Sequence, residues 1–474
     1  MSAHATSNML EDGETGGSGS LLDTGMSDIG HDGLPPGPRI PTPLQAVGWT
    51  LRPLPFMERC GRRYGDVFTL RIRHRSPWII LSDPEDVRRL FTAPAEMLSV
   101  GADETNPVLE PLLGPSSMML LNEPAHMAHR KFMLPAFHGE RVKGYDTIMS
   151  DVVREEVARW PMGEPLSLWP RMQAITMEVV MRAVFGAGEI ERLAPLRKQL
   201  MRLTAWLNDS RRLALLSAFG AGSVFKSEGF RAVMDPVEAS VLAEVHRRRA
   251  LPDTEGEGRD ILSMLEQAYD ANGTPMTDSE LRDEIITLLS DGPTATSLAW
   301  AFERLLRHPD KLARVREESL AGEDTYTDAV VKETLRLCPS APLVVRRLRE
   351  PMQFGGYRIP GGTLVAASVH LMHRREDIYP QPRSFRPERF LERAAGTYTW
   401  IPFGGGVRRC VAAGFAQMEM KRVIQTVLSE VELQAANADS ERPARSAIAF
   451  APGDEARVIA IRRKKGPRAV AVSA

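Results

Sequence analysis

Cysteine is the scarcest informative residue in this chain: 474 residues carry only Cys60, Cys338 and Cys410. Three scattered thiols cannot form a disulfide framework, and their usage suits a reducing, cytoplasmic compartment. Their spacings provide no four-ligand Cys/His zinc set. Long apolar runs are missing too, with nothing near the ~18 residues of a membrane span. The first 20 residues, MSAHATSNMLEDGETGGSGS, have neither a basic start nor an apolar core, so no secretory signal is expected there. Excess charge is absent: 60 Lys and Arg against 61 Asp and Glu give a net charge of -1, with no electrostatic footprint for nucleic acid. The remaining composition, 43% hydrophobic, 26% charged and 6% aromatic, is ordinary for a globular protein.

The near-zero charge averages two unlike tails. Residues 1–33 hold six acids, no Lys or Arg and seven glycines, with few large apolar side chains. Such a segment cannot bury enough surface to offset its ordering entropy, so a disordered acidic tail is expected. Residues 462–474 hold Arg462, Arg463, Lys464, Lys465 and Arg468, a basic tail read as a solvated end. The core between them, 34–461, has 55 residues of each sign.

The core shows no internal repeat. Its one linker-like stretch, 251–259, is short enough to join two helices. Length alone suggests two or three domains, whereas the lack of linkers argues for a single large one. Helical patterns dominate. The longest, Thr277 to His308, opens on a Thr277-x-x-Glu280 capping box and is interrupted at Gly292-Pro293. Proline lacks the N–H that the Leu289 carbonyl needs, so the helix should kink or open there. A second helix should follow Cys410, with Ala416, Met420, Val423 and Val427 on one face. Alternation in Asp66–Arg73 puts Phe68, Leu70 and Ile72 on one face of a strand whose hairpin partner is Trp78–Leu81. Thr363–Val369 and Arg457–Ile461 read as further strands. The expected class is mainly α with a small β-sheet subdomain near the N-terminus.

The sharpest local feature is WIPFGGGVRRCVAAG, Trp400 to Gly414. Gly404, Gly405 and Gly406 allow a tight turn and close approach to something flat. Cys410 follows Arg408 and Arg409 and precedes a helix, and both the cations and the helix dipole favour a thiolate. A thiolate is a nucleophile or a soft-metal ligand, and the alternative is a structural thiol. A nucleophile normally needs a nearby base, and no histidine lies in the loop, so the local chemistry favours a ligand.

Phe403-Gly-Gly-Gly-Val-Arg408-Arg-Cys410-Val-Ala412 resembles the heme-binding signature of the cytochrome P-450 superfamily, the heme-thiolate monooxygenases; Ala412 stands where many members have Gly. Glu333-Thr-Leu-Arg336 looks like the family's E-x-x-R helix, and Phe385-Arg-Pro-Glu-Arg389-Phe like the element whose arginine joins that pair. Local chemistry alone would make Glu333 and Arg336 a solvated i,i+3 pair worth little. Glu123-Pro-Ala-His126-Met-Ala-His129-Arg130 resembles the helix crossing the heme propionates. The resemblance thus implies heme b, with Cys410 as iron ligand, Phe403 in the heme loop, and His126, Arg130, Arg346 and Arg408 on the propionates. His129 is read as a surface histidine and Cys338 as a core thiol. The likeness spans about 34–461 and implies one cytochrome P-450-like domain enclosing the cofactor.

Thiolate ligation favours O–O cleavage over reversible oxygen binding. The resemblance therefore implies a monooxygenase that inserts one atom of O2 into a hydrophobic small molecule. Electrons would come from NAD(P)H through a separate ferredoxin- or flavodoxin-type donor, since the chain has no flavin or ferredoxin segment, and Arg408 and Arg409 lie on the face where the family docks that donor. The interrupted helix departs from the family. Most members carry an acid followed by an alcohol in an A-G-x-(D/E)-T-T segment. Here the sequence is Leu289-Ser-Asp291-Gly-Pro-Thr294-Ala-Thr296-Ser297, and either register loses the pair. Thr294 is the expected surviving alcohol, helped by Asp291 or Thr296; all three could instead cap the broken helix. Slower or less coupled turnover with peroxide release, or a substrate that supplies its own hydroxyl, is expected. The resemblance implies a pocket lined by Met97–Met119, Leu203–Phe225 and the interrupted helix, closed by Pro342–Val345, with the apolar 213–225 stretch suited to a mobile lid or to a core helix. Two other readings stay open: a member with peroxygenase or other heme chemistry, and a heme-binding protein without turnover.

Overall fold

The structure is a computed structural model that describes residues 33–72, 76–100, 109–209, 212, 224–250, 260–269, 273–290, 292–446 and 449–462. Most of both tails, the 251–259 stretch, most of 213–225, and Asp291 lie outside these residues.

Two layers organise the described chain. The larger is helical. Its core joins the helices Glu140–Val157, Leu168–Phe185, Glu228–Arg249, Asp278–Leu289, Gly292–Leu306, Thr325–Leu337 and Ala413–Glu430. The helix after Cys410 buries Met420, Val423 and Val427 as its periodicity predicts, with Ala416 half-buried beside them. Gly292–Leu306 runs through the middle of this layer, and Leu298, Ala299, Ala301, Phe302 and Leu305 have no exposed surface. An all-round buried helix needs small and apolar residues on every face, which the ATSLAWAF sequence provides.

The predicted helix of Thr277–His308 is two helices. Thr277 accepts from the Glu280 N–H and Glu280 reaches back to the Thr277 N–H, the capping box read from the sequence. The first helix ends at Leu289, and Pro293 sits in the first turn of the second, where a missing N–H costs nothing. The proline thus starts a helix rather than kinking one.

The smaller layer is a five-stranded sheet. Its order is Val67–Leu70, Trp78–Leu81, Leu364–Ser368, Leu343–Leu348, Leu98–Ser99. The hairpin register pairs Phe68 with Ile80. The Trp78–Leu81 strand runs parallel to Leu364–Ser368, and the other neighbours are antiparallel. The expected half-exposed strand is instead wholly buried, Thr69 included. The Pro-rich entry covers its edge: the Thr69 hydroxyl donates to the Pro35 carbonyl at 2.6 Å and its N–H to Pro36 at 2.9 Å. A Cβ on Gly37 would stand 2.0 Å from the Thr69 oxygen, so only glycine permits this approach. A three-stranded sheet, Pro165–Ser167, Arg457–Arg462 and Val431–Ala435, closes the helical layer, and two short hairpins complete the described strands.

Candidate functional site

The Cys410 loop lies where the two layers meet. Gly404 and Gly406 have φ of 68° and 67°, in the left-handed region. A Cβ on Gly406 would lie 2.0 Å from the Phe91 carbonyl oxygen, and one on Gly405 2.3 Å from the Phe91 ring. The flat partner that the glycine run approaches is therefore Phe91, from the helix Pro84–Thr92 of the sheet layer. A 3-10 turn, Gly406–Arg408, then brings the Cys410 N–H to the Phe403 carbonyl at 3.0 Å. Cys410 stands three residues ahead of the helix Ala413–Glu430 and its side chain is exposed. The other two thiols are inert by comparison: burial pushes Cys60 up to about 11 and also raises Cys338, which packs on the helical core.

Around this loop the structure collects the cations that the sequence singled out. His126 and Arg130 share the helix Ala125–Met133, and Arg130 donates to the Arg409 carbonyl at 2.7 Å, tying that helix to the loop. Arg408 donates to the Leu121 carbonyl. Arg346, on the strand Leu343–Leu348, lines a cleft with Phe91, Val100, Gly405 and Arg408. Among the described residues Arg130, Arg346 and Arg408 form no salt bridge. Burial pushes Arg346 and Arg408 down to about 10; Arg408 adds to the depression of Arg346, while for Arg408 the pull of Glu123 opposes the push of Arg130. Arg130 is lowered too, by burial, with Cys410 pulling the other way. Burial and the charge of Arg408 hold His126 down at about 4, although its Nδ1 lies 2.6 Å from Glu123 Oε1. Phe403 is half-buried against the helical core, its ring 6.0 Å from that of Trp400.

A heme fits this donor set. Three guanidiniums that form no salt bridge among the described residues match the two propionates, and a soft thiol beside them matches iron. The same cations depress one another, so bringing in a dianion relieves a repulsion that the described residues leave in place.

Behind the loop, Glu333 and Arg336 are fully buried, not the solvated pair of the local reading. Arg336 holds Glu333 with two bonds of 2.7 and 2.8 Å, and Arg389 reaches the same carboxylate at 3.1 Å. Arg336 Nη1 donates to the carbonyls of His373 and Pro382, at 2.7 and 2.8 Å, and Nη2 also to that of Ser384 at 3.3 Å. His373, which the sequence analysis did not single out, links this cluster to the loop. Its Nδ1 lies 3.0 Å from the Arg336 carbonyl, and its Nε2 accepts the Ile401 N–H at 2.9 Å. That pattern needs a neutral ring, and burial beside Arg336 holds His373 well below the ordinary histidine range. Trp400 adds a bond to the Lys332 carbonyl at 3.2 Å, and Tyr379 one to Thr399 at 3.0 Å. The signal for these positions was weak, because a buried histidine reads in sequence like any other.

In the interrupted helix, Thr294 and Thr296 are buried. Thr296 Oγ1 accepts from the Trp169 indole at 3.3 Å. The Pro293 carbonyl accepts from Ser297 at 3.0 Å and Ser340 at 3.2 Å, and these two hydroxyls lie 2.9 Å apart. Neither Trp169 nor Ser340 was picked out from the sequence. Asp291, the proposed helper, lies outside the described residues.

His129 corrects its surface assignment. It is buried, with Nδ1 2.8 Å from Glu284, a fully buried carboxylate of Asp278–Leu289 that also accepts the Met118 N–H at 2.8 Å. Burial works against a charged His129 ring, but Glu284 and Glu280 outweigh it and raise its affinity for the proton. The i,i+3 relation to His126 turned it toward the interior, where a buried acid from another helix waits; sequence separation hid that partner.

Comparison with known proteins agrees with this geometry. The family model described as Cytochrome P450 matches residues 35–453. A Mycobacterium tuberculosis protein named "Putative cytochrome P450 135B1" is 38% identical over 444 residues, covering 91% of this chain and 92% of that one. A second from the same organism, "Putative cytochrome P450 137", is 36% identical over 407 residues, covering 85% and 84%. Among solved structures, a retinoic acid-bound cyanobacterial CYP120A1 shares the fold at a TM-score of 0.79 and 24% identity, covering 91% of this chain and 99% of that one. The cytochrome P450DA heme domain does so at 0.77 and 21%, covering 91% and 98%. This chain belongs to the cytochrome P450 family, heme-dependent oxidoreductases, in general monooxygenases, that bind heme b through a cysteine thiolate.

Proposed function

We propose that this protein inserts one oxygen atom from O2 into a hydrophobic small molecule, with electrons from NAD(P)H delivered by a separate ferredoxin- or flavodoxin-type protein. When bound, heme supplies the activation of O2. In this reading Cys410 is the iron ligand, Phe403 belongs to the heme loop, and His126, Arg130, Arg346 and Arg408 receive the propionates. The observation that carries it is the gathering of Arg130, Arg346 and Arg408 around the Cys410 loop without a salt bridge among the described residues.

Each residue then has a physical task. The arginines bind carboxylates and fix the plane of the cofactor against the loop. His126 Nδ1 faces Glu123, so Nε2 donates to a carboxylate once the ring is protonated, and an arriving anion favours that proton. Arg408 and Arg409 present positive charge on the Cys410 side, where an acidic electron donor would dock. Thr294 is the hydroxyl proposed to move protons on the substrate side, with Thr296 steadied by Trp169 and Asp291 as a further helper. Glu333, Arg336 and Arg389 act through the loop they support. A cytoplasmic location goes with the thiol usage.

The test is the spectrum of the reduced, CO-bound protein. A strongly red-shifted Soret band is expected in the wild type and its loss in Cys410→Ala; heme bound without the shift in the wild type would overturn the ligand assignment. Turnover with NAD(P)H and added redox proteins separates a monooxygenase from a protein that only carries heme, and turnover on peroxide alone would replace the O2-dependent reading.

A further inference from the structure

Ten large hydrophobic residues are exposed among the described residues, and four of them fall in one short stretch: Ile40 at 45%, Leu44 at 57%, Val47 at 50% and Leu51 at 74%. Their spacing of four, three and four residues puts them in one stripe of the helix Thr42–Leu51 and its entry. The opposite side fastens the helix to the protein. Gln45, buried, donates to the carbonyls of Pro38 and Ile40 at 3.0 and 2.9 Å and accepts the Arg71 N–H at 2.9 Å. Trp49 packs against Trp78 with ring centres 6.1 Å apart. The helix therefore cannot turn its apolar stripe inward, because the inward positions are already used.

A basic collar surrounds the stripe. Arg39 and Arg52 flank it, and Arg59, Arg62 and Arg63 extend from the next helix, Pro53–Tyr64; all five are exposed. The one acid between residues 33 and 65 is Glu58. Its carboxylate lies 3.8 Å from Arg62 but bonds to His370 at 2.9 Å and Arg383 at 2.5 Å, and these two bonds outweigh burial and hold it down at about 2. The surface thus combines exposed aliphatic side chains with positive charge.

We infer that this face is a docking surface for a bilayer of anionic phospholipid, with the Leu44, Val47 and Leu51 side chains entering the headgroup boundary and the arginines meeting the phosphates. Neither component suffices alone: few apolar side chains give marginal binding, and basic residues near an anionic surface add the rest. An acidic protein or RNA would satisfy the arginines but not the stripe. The contact is peripheral, since among the described residues no helix is long and apolar enough to span. The inference does not depend on the proposed reaction.

The experiment is co-sedimentation of the full holoprotein with vesicles of phosphatidylcholine mixed with phosphatidylglycerol. Binding is expected, strongly reduced on phosphatidylcholine alone and by added salt. Leu44→Asp with Leu51→Asp should weaken it roughly tenfold or more, as should the charge reversal Arg52→Glu with Arg59→Glu. Leu391→Asp, at another exposed hydrophobic position, should leave it unchanged. Each variant alters surface side chains, and an unshifted thermal midpoint verifies its fold. Absence of binding by the wild type overturns the inference, whether the acidic segment 1–32 or nothing occupies the face. Binding insensitive to the leucine pair overturns it in favour of a purely electrostatic contact. A dimer in solution that the leucine pair dissociates overturns it in favour of a second copy of this chain.

Discussion

At the scale of single residues, the Cys410 loop depends on glycine for two separate reasons, and Gly406 carries both. Its positive φ and the Phe91 oxygen 2.0 Å from a virtual Cβ act together, so Gly406→Ala should cost at least about 2 kcal/mol in urea unfolding and lower heme content. Gly414, in the helix that follows, has open space around its virtual Cβ, and Gly414→Ala should be neutral or stabilising by up to about 1 kcal/mol. Equal losses in both would show that the Phe91 approach is unimportant. Arg336 has a similar asymmetry. Its side chain is wholly buried and answers both a carboxylate and backbone carbonyls; Arg336→Ala should cost about 3–5 kcal/mol by leaving Glu333 charged in the interior, whereas truncating an exposed, solvent-screened arginine such as Arg88 should leave stability nearly unchanged. Sequence reached Glu333, Arg336 and Arg389 through their spacing and likeness to the family. It missed His373 because a hydrogen bond to the Ile401 N–H depends on two segments meeting.

At the scale of elements, the helix break decides which hydroxyls are available. Pro293 begins a helix, and its carbonyl is held by Ser297 and Ser340. Thr296 is engaged by Trp169. Thr294, buried one residue after Pro293, is the hydroxyl proposed to move protons, so Thr294→Ala should lower the ratio of product to NAD(P)H consumed and raise peroxide release, while Ser297→Ala should mainly lower stability by about 1 kcal/mol. An unchanged product ratio in Thr294→Ala would remove it from the reaction. The capping box, the helix after Cys410 and the hairpin of Val67–Leu70 with Trp78–Leu81 were all legible, because caps and periodicities act over a few residues. The burial of Thr69 was not, since it follows from a Pro-rich segment 34 positions away laid along the strand edge.

At the scale of the whole molecule, the buried histidines make stability depend on pH. Burial, with Arg374 nearby, holds His370 down at about 4, against an ordinary value near 6.5. Above about pH 6.5 the ring is neutral in both folded and unfolded chains. As pH falls from there toward 4, the unfolded chain takes up the proton and the folded one resists it, so stability declines across that window. For one such histidine the loss between pH 7 and 5 is about 2 kcal/mol. The slope of unfolding free energy between these pH values should flatten by about that amount in His370→Gln, which retains a donor for Glu58. His129 acts in the opposite sense: its raised affinity for the proton favours the fold below the ordinary histidine range, and that contribution is lost as pH rises through its folded value. An unaltered slope in His370→Gln would show that this ring titrates normally.

The sequence by itself determined the thiolate loop, the order of the motifs around it, the capping box and the break at Gly292-Pro293, because each is a matter of residue types at short separations. Tertiary structure alone decided what those residues face. It placed Phe91 against the glycine run, buried His129 on Glu284, joined Arg130 to the Arg409 carbonyl across 279 positions, and left the stripe of Ile40, Leu44, Val47 and Leu51 outward. Packing of two layers brings distant segments within hydrogen-bond reach, and no local spacing encodes which of them will meet.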